Sequence, residues 1–156
     1  MLSLPAVCTS APYNLRMDAP AENIFVKILR GELPSHEVYS DDDTYAFLDI
    51  FPHAPGHTLV VPRSYSEHIL EASEHDLAAC LCTVRKLIPA LLKVTGAAGA
   101  TVLSNMGREA GQMVPYLHFH IIPRSKGSKL HGEPGNAGDQ AALAKLAQRI
   151  RDELAR

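Results

Sequence analysis

The sequence predicts an α+β fold in which helices cover one face of an antiparallel sheet. Short strand-like runs follow one another as a meander, and longer stretches of helical period stand apart from them. Helices segregated from the strands in this way are typical of sheets with one covered face. The chain has 156 residues, with 46% hydrophobic and 21% charged residues, which is the composition of one ordinary folded domain.

The N-terminal segment is predicted to be a flexible arm followed by a short helix. Residues 1–21 contain Pro5, Pro12 and Pro20 and have no sustained period. Apolar residues then recur at helical spacing, and Gly31 stands just past them as a C-cap residue would. The members of this apolar set are Ile24, Phe25, Ile28 and Leu29.

Three strands and a tight turn are predicted in the next part of the chain. Residues 36–40 and 44–49 have strand character and are joined by three aspartates, which predicts a hairpin. The Pro- and Gly-rich residues 51–56 must form a loop. Residues 57–61 then form an apolar run, which predicts a buried strand that ends at Pro62.

The second half combines two helices with two strands. Ser73 is a favourable N-cap, and apolar residues repeat every three and four positions to about Val94, with Pro89 inside the pattern. Residues 101–104 and 117–123 are predicted strands. A Gly- and Lys-rich loop follows, and residues 139–154 form an amphipathic helix with an Ala-rich apolar face.

Charge and cysteine usage exclude several classes of protein. The net charge of −2 with scattered basic residues argues against a nucleic-acid partner. The apolar stretches are too short for a membrane span, and the first residues lack a basic n-region, so we expect a cytoplasmic protein without a membrane partner. The 3 cysteines are Cys8, Cys80 and Cys82, an odd number that fits a reducing compartment.

The segment from Gly111 to Arg124 carries the most informative pattern. In a strand, Tyr116, His118 and His120 project on one side while the apolar residues between them project on the other. The two imidazoles then lie roughly 6.6 Å apart, which lets both reach one phosphate-sized anion. A pair of half-exposed strand histidines without any function is the alternative at this stage.

A Gly-containing loop leads into this strand and favours anion binding. Residues 105–112 include Asn105, Gly111 and Gln112, and such loops can direct backbone and amide N–H groups at an anion. His57 follows a Pro-Gly turn at the start of another strand, and His53 stands in the loop before it, either solvated or in contact with substrate. Together these residues suggest phosphoryl chemistry.

The residues from Asn23 to Arg124 resemble the histidine triad superfamily of nucleotide-binding hydrolases and transferases. The resemblance covers about two thirds of the chain and its motifs occur in the family's order. It implies a histidine triad domain over residues 22–125, with the loop and helix of residues 126–156 packed on the same domain. It also implies a homodimer whose sheets join. The matching pieces are Ile24-Phe25, Lys27-Ile28, Gly31-Glu32-Leu33-Pro34, Ala46-Phe47-Leu48-Asp49-Ile50, Pro55-Gly56-His57-Thr58-Leu59-Val60-Val61-Pro62, Asn105, Ala110-Gly111-Gln112, His118 and His120.

The resemblance also implies a role for each matching residue. His118 would be the nucleophile towards the α-phosphorus of a purine nucleotide, His120 would contact phosphate oxygens, and His57 would be an additional active-site histidine. Asp49 would bind the ribose hydroxyls, and no cofactor is implied. The phosphate pocket would be lined by Asn105, Gly111, Gln112 and Met113, and the base would be enclosed by Ile24, Phe25, Phe47 and Ile50.

The physical requirement on a histidine nucleophile does not depend on the family. The attacking nitrogen must be unprotonated, and a hydrogen bond from the other nitrogen to a backbone carbonyl would fix that tautomer. For His118 this requirement concerns the backbone of residue 116 and not its side chain. We therefore expect that a tyrosine at position 116 does not abolish attack.

Departures from the family pattern leave alternatives open. Tyr116 stands where the first triad histidine is expected, and Met113 stands where relatives often have Ser or Thr. Some bacterial relatives hold a structural zinc at positions that correspond here to Asn23, Val26, Tyr65 and Tyr116, none of which is a good ligand, so we expect no metal. A catalytically weak nucleotide-binding regulatory module is the second interpretation. Metal binding by His57, His118 and His120 is the third, and it lacks a visible carboxylate or cysteine partner.

Overall fold

The computed structural model describes residues 20–129 and 135–156. Cys8 and all but the last two residues of the predicted arm lie outside these ranges. The described elements, in chain order, are α1 (Ile24–Leu29), β1 (Glu37–Ser40), β2 (Thr44–Leu48), β3 (Thr58–Pro62), α2 (Glu74–Thr95), β4 (Gly99–Leu103), a short 3₁₀ helix (Arg108–Ala110), β5 (Phe119–Arg124) and α3 (Gln140–Leu154).

The sheet has five strands in the order β1-β2-β3-β5-β4, and each neighbouring pair is antiparallel. The predicted α+β class is confirmed, but the simple meander is wrong beyond β3. After α2 the chain forms β4 at the sheet edge and then returns β5 to the position beside β3. Burial explains this order, because Phe119 and Ile121 of β5 are buried whereas Val102 of β4 is 40% exposed.

The predicted hairpin between β1 and β2 is held by one carboxylate. Oδ1 of Asp41 accepts hydrogen bonds from the backbone N–H groups of Asp43 at 3.0 Å and Thr44 at 2.7 Å. Aspartate commonly stabilises turns in this way. Because β2 then ends at Leu48, Asp49 is the first residue beyond the strand.

Helix α2 begins directly after Ser73, as predicted, and ends at Thr95, close to the predicted end at about Val94. The Ser73 hydroxyl accepts a hydrogen bond from the N–H of Asp76 at 3.0 Å, and Gly96 stands at the C-cap. Pro89 lies inside the helix on its exposed side. None of the helices among the described residues combines the length and apolarity needed to cross a membrane.

Two apolar clusters lie on opposite faces of the sheet because alternate strand residues face opposite ways. The first cluster lies between the sheet, α2 and α3, and α3 contributes Leu143, Ala147 and Ile150 to it. The second cluster lies under α1 and consists of the buried residues Phe25, Val26, Phe47, Leu59, Val61 and Tyr116.

The segment that carries the histidines alternates between these clusters as predicted. Leu117, Phe119 and Ile121 belong to the first cluster, whereas Tyr116 belongs to the second. Strand β5 itself begins at Phe119, two residues later than the sequence predicts. His118 therefore lies immediately before the strand, where its main chain is available for other hydrogen bonds.

Candidate active site

Three histidines meet where β3 and β5 lie side by side. His57 directly precedes β3, and His120 of β5 is paired with Leu59 of β3. Nε2 of His57 lies 2.9 Å from Nδ1 of His120, and the rings of His118 and His120 have centroids 4.8 Å apart. The fold therefore gathers residues that are 63 positions apart in the chain into one group.

Gly56 gives the chain the turn that aims His57 into this group. Its φ of +83° lies in the left-handed region that favours glycine. A Cβ atom at this position would also lie 2.7 Å from Cγ2 of Thr95 and 3.3 Å from Cγ of Pro123. The glycine of the Pro-Gly pair recognised in the sequence is thus required by both backbone conformation and packing.

The orientation of the His118 ring is fixed by the main chain of residue 116, which confirms the sequence-based expectation. Nδ1 of His118 donates a hydrogen bond of 2.7 Å to the carbonyl of Tyr116. The ring also packs edge-on against Phe25, with centroids 5.2 Å apart. Because Nδ1 carries the proton, the Nε2 lone pair of a neutral His118 is free.

His57 and His120 take part in a chain of two hydrogen bonds that both donate in the same direction, from residue 53 towards His120. The backbone N–H of His53 donates to Nδ1 of His57 at 3.2 Å, so the proton of a neutral His57 is on Nε2. That proton is donated to Nδ1 of His120, whose own proton must then be on Nε2. Nε2 of His120 is buried and has no hydrogen-bond partner within the described residues. This donor points to an acceptor that a ligand would supply.

Burial favours the neutral form of all three imidazoles. Burial, followed by the charges of His120 and His53, lowers the pKa of His57 from 6.5 to about 3. Burial and the charge of His118 lower the pKa of His120 to about 4. For His118, burial lowers the pKa and outweighs the hydrogen bond to Tyr116, which raises it. A group of neutral imidazoles beside a free donor suits a nucleophile next to an anion site.

Asp49 lies beside the histidines, in the loop that follows β2. Its Oδ1 accepts a hydrogen bond of 2.8 Å from the N–H of Phe51, and its Oδ2 lies 3.7 Å from Nδ1 of His57. Burial raises the pKa of Asp49, against the lowering effects of the Phe51 N–H and the charge of His53. The second carboxylate oxygen has capacity to accept hydrogen bonds from a ligand diol.

The side-chain amide of Gln112, in the Gly-containing loop, is used in hydrogen bonds to the main chain. Its Oε1 accepts from the N–H of Gly107 at 2.9 Å, and its Nε2 donates to the carbonyls of Glu67 and Val114. Gln112 is buried and braces the loop. A Cβ on Gly111 would lie 3.7 Å from Nδ2 of Asn105, so these two predicted site residues lie close together.

The predicted base wall separates into buried and exposed parts. Phe25 and Phe47 are buried and contact each other edge to face, with ring centroids 5.5 Å apart. Ile24 and Ile50 are 48% and 45% exposed. Met113 is 87% exposed, directly after the Gly-containing loop of residues 105–112. The aromatic pair therefore belongs to the second cluster, whereas the two isoleucines present exposed apolar surface.

The structure supplies the carboxylate that the metal interpretation lacked. The potential ligand atoms of Asp49, His57 and His120 all lie within 4.8 Å of one another. The hydrogen bonds nevertheless occupy both nitrogens of His57, since Nδ1 accepts from His53 and Nε2 donates to His120. A metal ligand needs a free lone pair, so a cation here would require this chain of donation to be broken.

The positions at which some relatives hold zinc are filled by packing. Val26 and Tyr116 belong to the second cluster, and the rings of Tyr65 and Tyr116 have centroids 5.4 Å apart. The Tyr116 hydroxyl donates to the carbonyl of Pro62 at 2.7 Å. Asn23 caps α1 and donates from Nδ2 to the carbonyl of Pro115 at 3.1 Å. These residues stabilise α1 and its packing against the sheet.

Two contributions to the site were not predicted. The N–H of His53 orients His57, and the hydroxyl of Ser104 holds the carbonyl of His118 at 2.8 Å. The donor to His57 is a main-chain N–H group, and because nearly every residue has one, the residue type at position 53 does not indicate this contact. The sequence predicts a strand that ends at residue 104 but does not indicate which strand lies beside it, so the second contact had no signal beyond the presence of a hydroxyl.

Comparison with known proteins agrees with the fold. The HIT domain family matches residues 30–127. The chain therefore belongs to this family, and the histidine triad resemblance seen in the sequence is confirmed. It is 50% identical over 101 residues to an uncharacterized HIT-like protein of Saccharolobus solfataricus, covering 64% of this chain and 72% of that protein.

Two further relatives cover more of the chain. Adenosine 5′-monophosphoramidase HNT1 of Candida albicans is 35% identical over 146 residues, which is 90% of this chain and 96% of that protein. A crystal structure of a HIT-like protein from Bartonella henselae, described as involved in cell-cycle regulation, has a TM-score of 0.80 and 40% identity. That match covers 86% of this chain and 98% of the other.

Proposed function

We propose that this protein is a hydrolase or transferase that cleaves a purine nucleotide conjugate at its α-phosphate. The conjugate is a nucleoside phosphoramidate or a dinucleoside polyphosphate, and the chemistry uses side chains without a cofactor. Membership of the HIT family and the name of the Candida albicans relative, adenosine 5′-monophosphoramidase, support this class of substrate.

A single observation carries the proposal: Nδ1 of His118 donates to the carbonyl of Tyr116 at 2.7 Å. This bond leaves Nε2 unprotonated and fixes the direction of its lone pair. The same bond stabilises the positive charge that the ring acquires when Nε2 becomes bonded to phosphorus. A backbone carbonyl performs this task, so Tyr116 is compatible with attack by His118.

The proposed reaction has two displacements at phosphorus. Nε2 of His118 forms a bond to the α-phosphorus, the bond from phosphorus to the leaving nitrogen or oxygen breaks, and the leaving group takes a proton from water. Water then attacks the same phosphorus, the bond to His118 breaks, and a nucleoside monophosphate is released. The imidazole returns to its neutral form, and a proton passes to solvent.

His120 and His57 support these steps through hydrogen bonding. The unpartnered Nε2 of His120 would donate to a phosphate oxygen, where charge increases in the transition state. His57 holds His120 in the tautomer that makes this donation. Both roles use the neutral imidazole, which agrees with the lowered pKa values of the two residues.

Asp49 and the apolar residues around it would bind the nucleoside. The Asp49 carboxylate accepts from the ribose hydroxyls, and Ile24 and Ile50 contact the base above the Phe25–Phe47 pair. Asn105 and the backbone near Gly111 would face the phosphate. These assignments require one ligand to span from Asp49 to His118.

The second candidate function is nucleotide binding without significant turnover. The specific observation in its favour is Met113, whose exposed apolar side chain stands where many relatives are expected to have a hydroxyl. Without that donor, a phosphate oxygen or the leaving group loses one stabilising contact. Binding would then persist while the rate falls.

Rapid quenching with radiolabelled adenosine 5′-phosphoramidate tests the first function. We expect an acid-labile nucleotidyl adduct on the parent protein, mapped to His118, and release of adenosine monophosphate. The His118→Ala variant should lose nearly all turnover and all of the adduct while still binding the monophosphate, because Asp49 and the base wall are unchanged. His75→Ala, at an exposed histidine of α2, is the matched control and should behave as the parent does.

Two results would overturn the mechanism. An active His118→Ala variant would show that another group is the nucleophile. Tight monophosphate binding by the parent, without adduct or turnover of phosphoramidates and dinucleoside polyphosphates, would establish the binding module instead. In that case Met113→Ser should restore measurable turnover if the missing hydroxyl is the cause.

We also propose a homodimer in the cytoplasm, with residues 22–125 and 126–156 forming one folded unit. The outer edge of β4 pairs with no other strand in the described part of the chain, and Val102 on it is 40% exposed. Two such edges can pair to extend the sheet. The free thiols of Cys80 and Cys82 suit a reducing compartment. Light scattering of the parent and of Val102→Lys tests the dimer, since the lysine should yield monomers.

A further inference from the structure

A segment outside the matched family region lies against the loop that carries Asp49. Residues 135–138, here called the 135–138 segment, come just before α3, whereas the HIT domain match ends at residue 127. The N–H of Gly138 donates to the carbonyl of Ile50 at 2.8 Å, and the N–H of Gly135 donates to the carbonyl of Pro52 at 3.2 Å. Residues 49–53, the 49–53 loop, are thus held by two main-chain hydrogen bonds.

The opposite side of the same loop serves the candidate active site. The N–H of Phe51 donates to the Asp49 carboxylate, and the N–H of His53 donates to His57. The loop therefore presents N–H groups to the site and the carbonyls of residues 50 and 52 to the 135–138 segment. A displacement on one side of the loop must move the groups on the other side.

The 135–138 segment is itself anchored in the protein core. Directly after it, the Asp139 side chain caps α3 by accepting the N–H of Ala142 at 2.7 Å. Leu143 of α3 is buried in the first cluster, and Gln140 bonds to His36 at 2.8 Å. These contacts fix the segment, so it can hold the 49–53 loop in place rather than follow its movement.

Gly135 lies too close to the loop for any side chain. A Cβ at this position would be 2.6 Å from the Pro52 carbonyl oxygen, a main-chain atom that cannot move without shifting the loop. The φ of Gly135 is not in the left-handed range, so the requirement for glycine is one of contact rather than of backbone conformation. Substitution to alanine therefore displaces the loop without straining residue 135 itself.

We propose that Gly135 and Gly138 are positioning residues that set the affinity of the site for the nucleotide ribose. They act through the 49–53 loop on the Asp49 carboxylate and make no contact with the ligand. This inference rests on the proposed function, in which Asp49 accepts from the ribose hydroxyls. It makes the C-terminal part of the chain a determinant of ribose specificity.

The test compares two ligands in each variant by calorimetry: adenosine 5′-monophosphate and its 2′,3′-dideoxy analogue. Gly135→Ala should weaken binding of the ribonucleotide about fivefold, the factor expected for a weakened hydrogen bond to a charged group. Binding of the dideoxy analogue, which lacks the hydroxyls, should change less than about twofold. Asn136→Ala, at the exposed neighbouring position, is the control and should leave both affinities unchanged.

Two further measurements keep the result independent of folding defects. Gly138→Pro removes the donor to Ile50, and its added atoms meet Leu143 rather than Pro52, with a Cβ 2.9 Å from Cδ1 of Leu143. Urea unfolding should show that this variant is folded, and it should then produce the same selective loss of ribonucleotide affinity. In the parent protein, the amides of Gly135 and Gly138 should exchange with deuterium more slowly when saturated with the ribonucleotide than with the dideoxy analogue, because coupling is reciprocal.

The outcomes separate this inference from the proposed function. If the parent does not bind the ribonucleotide, or binds both ligands equally, the role of Asp49 fails first. If the parent discriminates and either folded glycine variant retains that discrimination, the positioning role alone is refuted. Equal losses of affinity for both ligands would also refute the positioning role, as would amide exchange rates that are the same with either ligand. The segment would then only stabilise the fold.

Discussion

The buried imidazole of His57 makes the stability of this protein depend on pH. Burial and the charges of the neighbouring histidines lower its pKa in the folded protein to about 3, against 6.5 for an ordinary histidine. The unfolded chain exposes the ring, so its pKa there is the ordinary one. Below pH 6.5 the unfolded chain therefore takes up a proton that the folded protein does not, and the free energy of unfolding falls.

The size of this effect follows from the pKa difference. Each pH unit between the two pKa values lowers the free energy of unfolding by about 1.36 kcal/mol for one group. Going from pH 7 to pH 5 crosses about 1.5 units of that window, so His57 alone accounts for a loss of about 2 kcal/mol. The contribution is fully present above pH 6.5 and disappears progressively towards pH 3. Because domains are stable by only about 5–15 kcal/mol, this loss is easily measured.

Urea unfolding at pH 7 and pH 5, followed by circular dichroism at one protein concentration, measures the effect. His57→Gln removes the titrating group, so its free energy of unfolding should fall by about 2 kcal/mol less than that of the parent over the same interval. Val84→Ala, which loses apolar contacts in the first cluster, is the control and should be less stable by the same amount at both pH values. If His57→Gln and the parent lose equal free energy, His57 is not held neutral and the reasoning is refuted.

Three further predictions concern the ligand and the packing. Asp49→Ala should weaken binding of adenosine monophosphate at least about tenfold by calorimetry, and unchanged affinity would remove Asp49 from the site. Tyr116→Phe leaves the buried carbonyl of Pro62 without its donor and should cost about 1–3 kcal/mol in urea unfolding, whereas no cost would mean that water replaces the hydroxyl. Because Val26 and the tyrosines offer no good ligand, atomic absorption should find no stoichiometric zinc, and a chelator should leave the Tm unchanged; one zinc per chain would contradict this.

Local chemistry explains which parts of the fold could be predicted. Ser73 and Gly96 delimit α2, and Asp41 makes its turn with its own neighbours, so a short stretch of sequence contains the cause of each. The position of β4 at the edge, with β5 in the centre, depends on contacts between distant segments. Strand character at residues 101–104 and 117–123 does not state which partner each strand takes, and the meander was the wrong choice.

The same distinction applies to the site. Period-two alternation identified the shared face of Tyr116 and His118, and the requirement for a free nitrogen identified the carbonyl of residue 116. The internal use of the Gln112 amide depends on Glu67, which lies 45 positions away. The bonds from the 135–138 segment involve main-chain groups whose partners depend on how α3 docks. Such contacts are determined by tertiary structure and have no signature in residue type.

The hydrogen bonds from His53 through His57 to His120 have a polarity that a single amide determines. An N–H group of the main chain can only donate, so reversing the chain would require two ring protons to move and would leave two hydrogens facing each other at Nδ1 of His57. The outer end of this chain is consequently a fixed donor. It donates to the oxygen of an anion and disfavours an ammonium or amide N–H at the same place. The uncharged N–H of His53 thus fixes the tautomers of two neutral imidazoles, and the site favours ligands that accept a hydrogen bond over ligands that donate one.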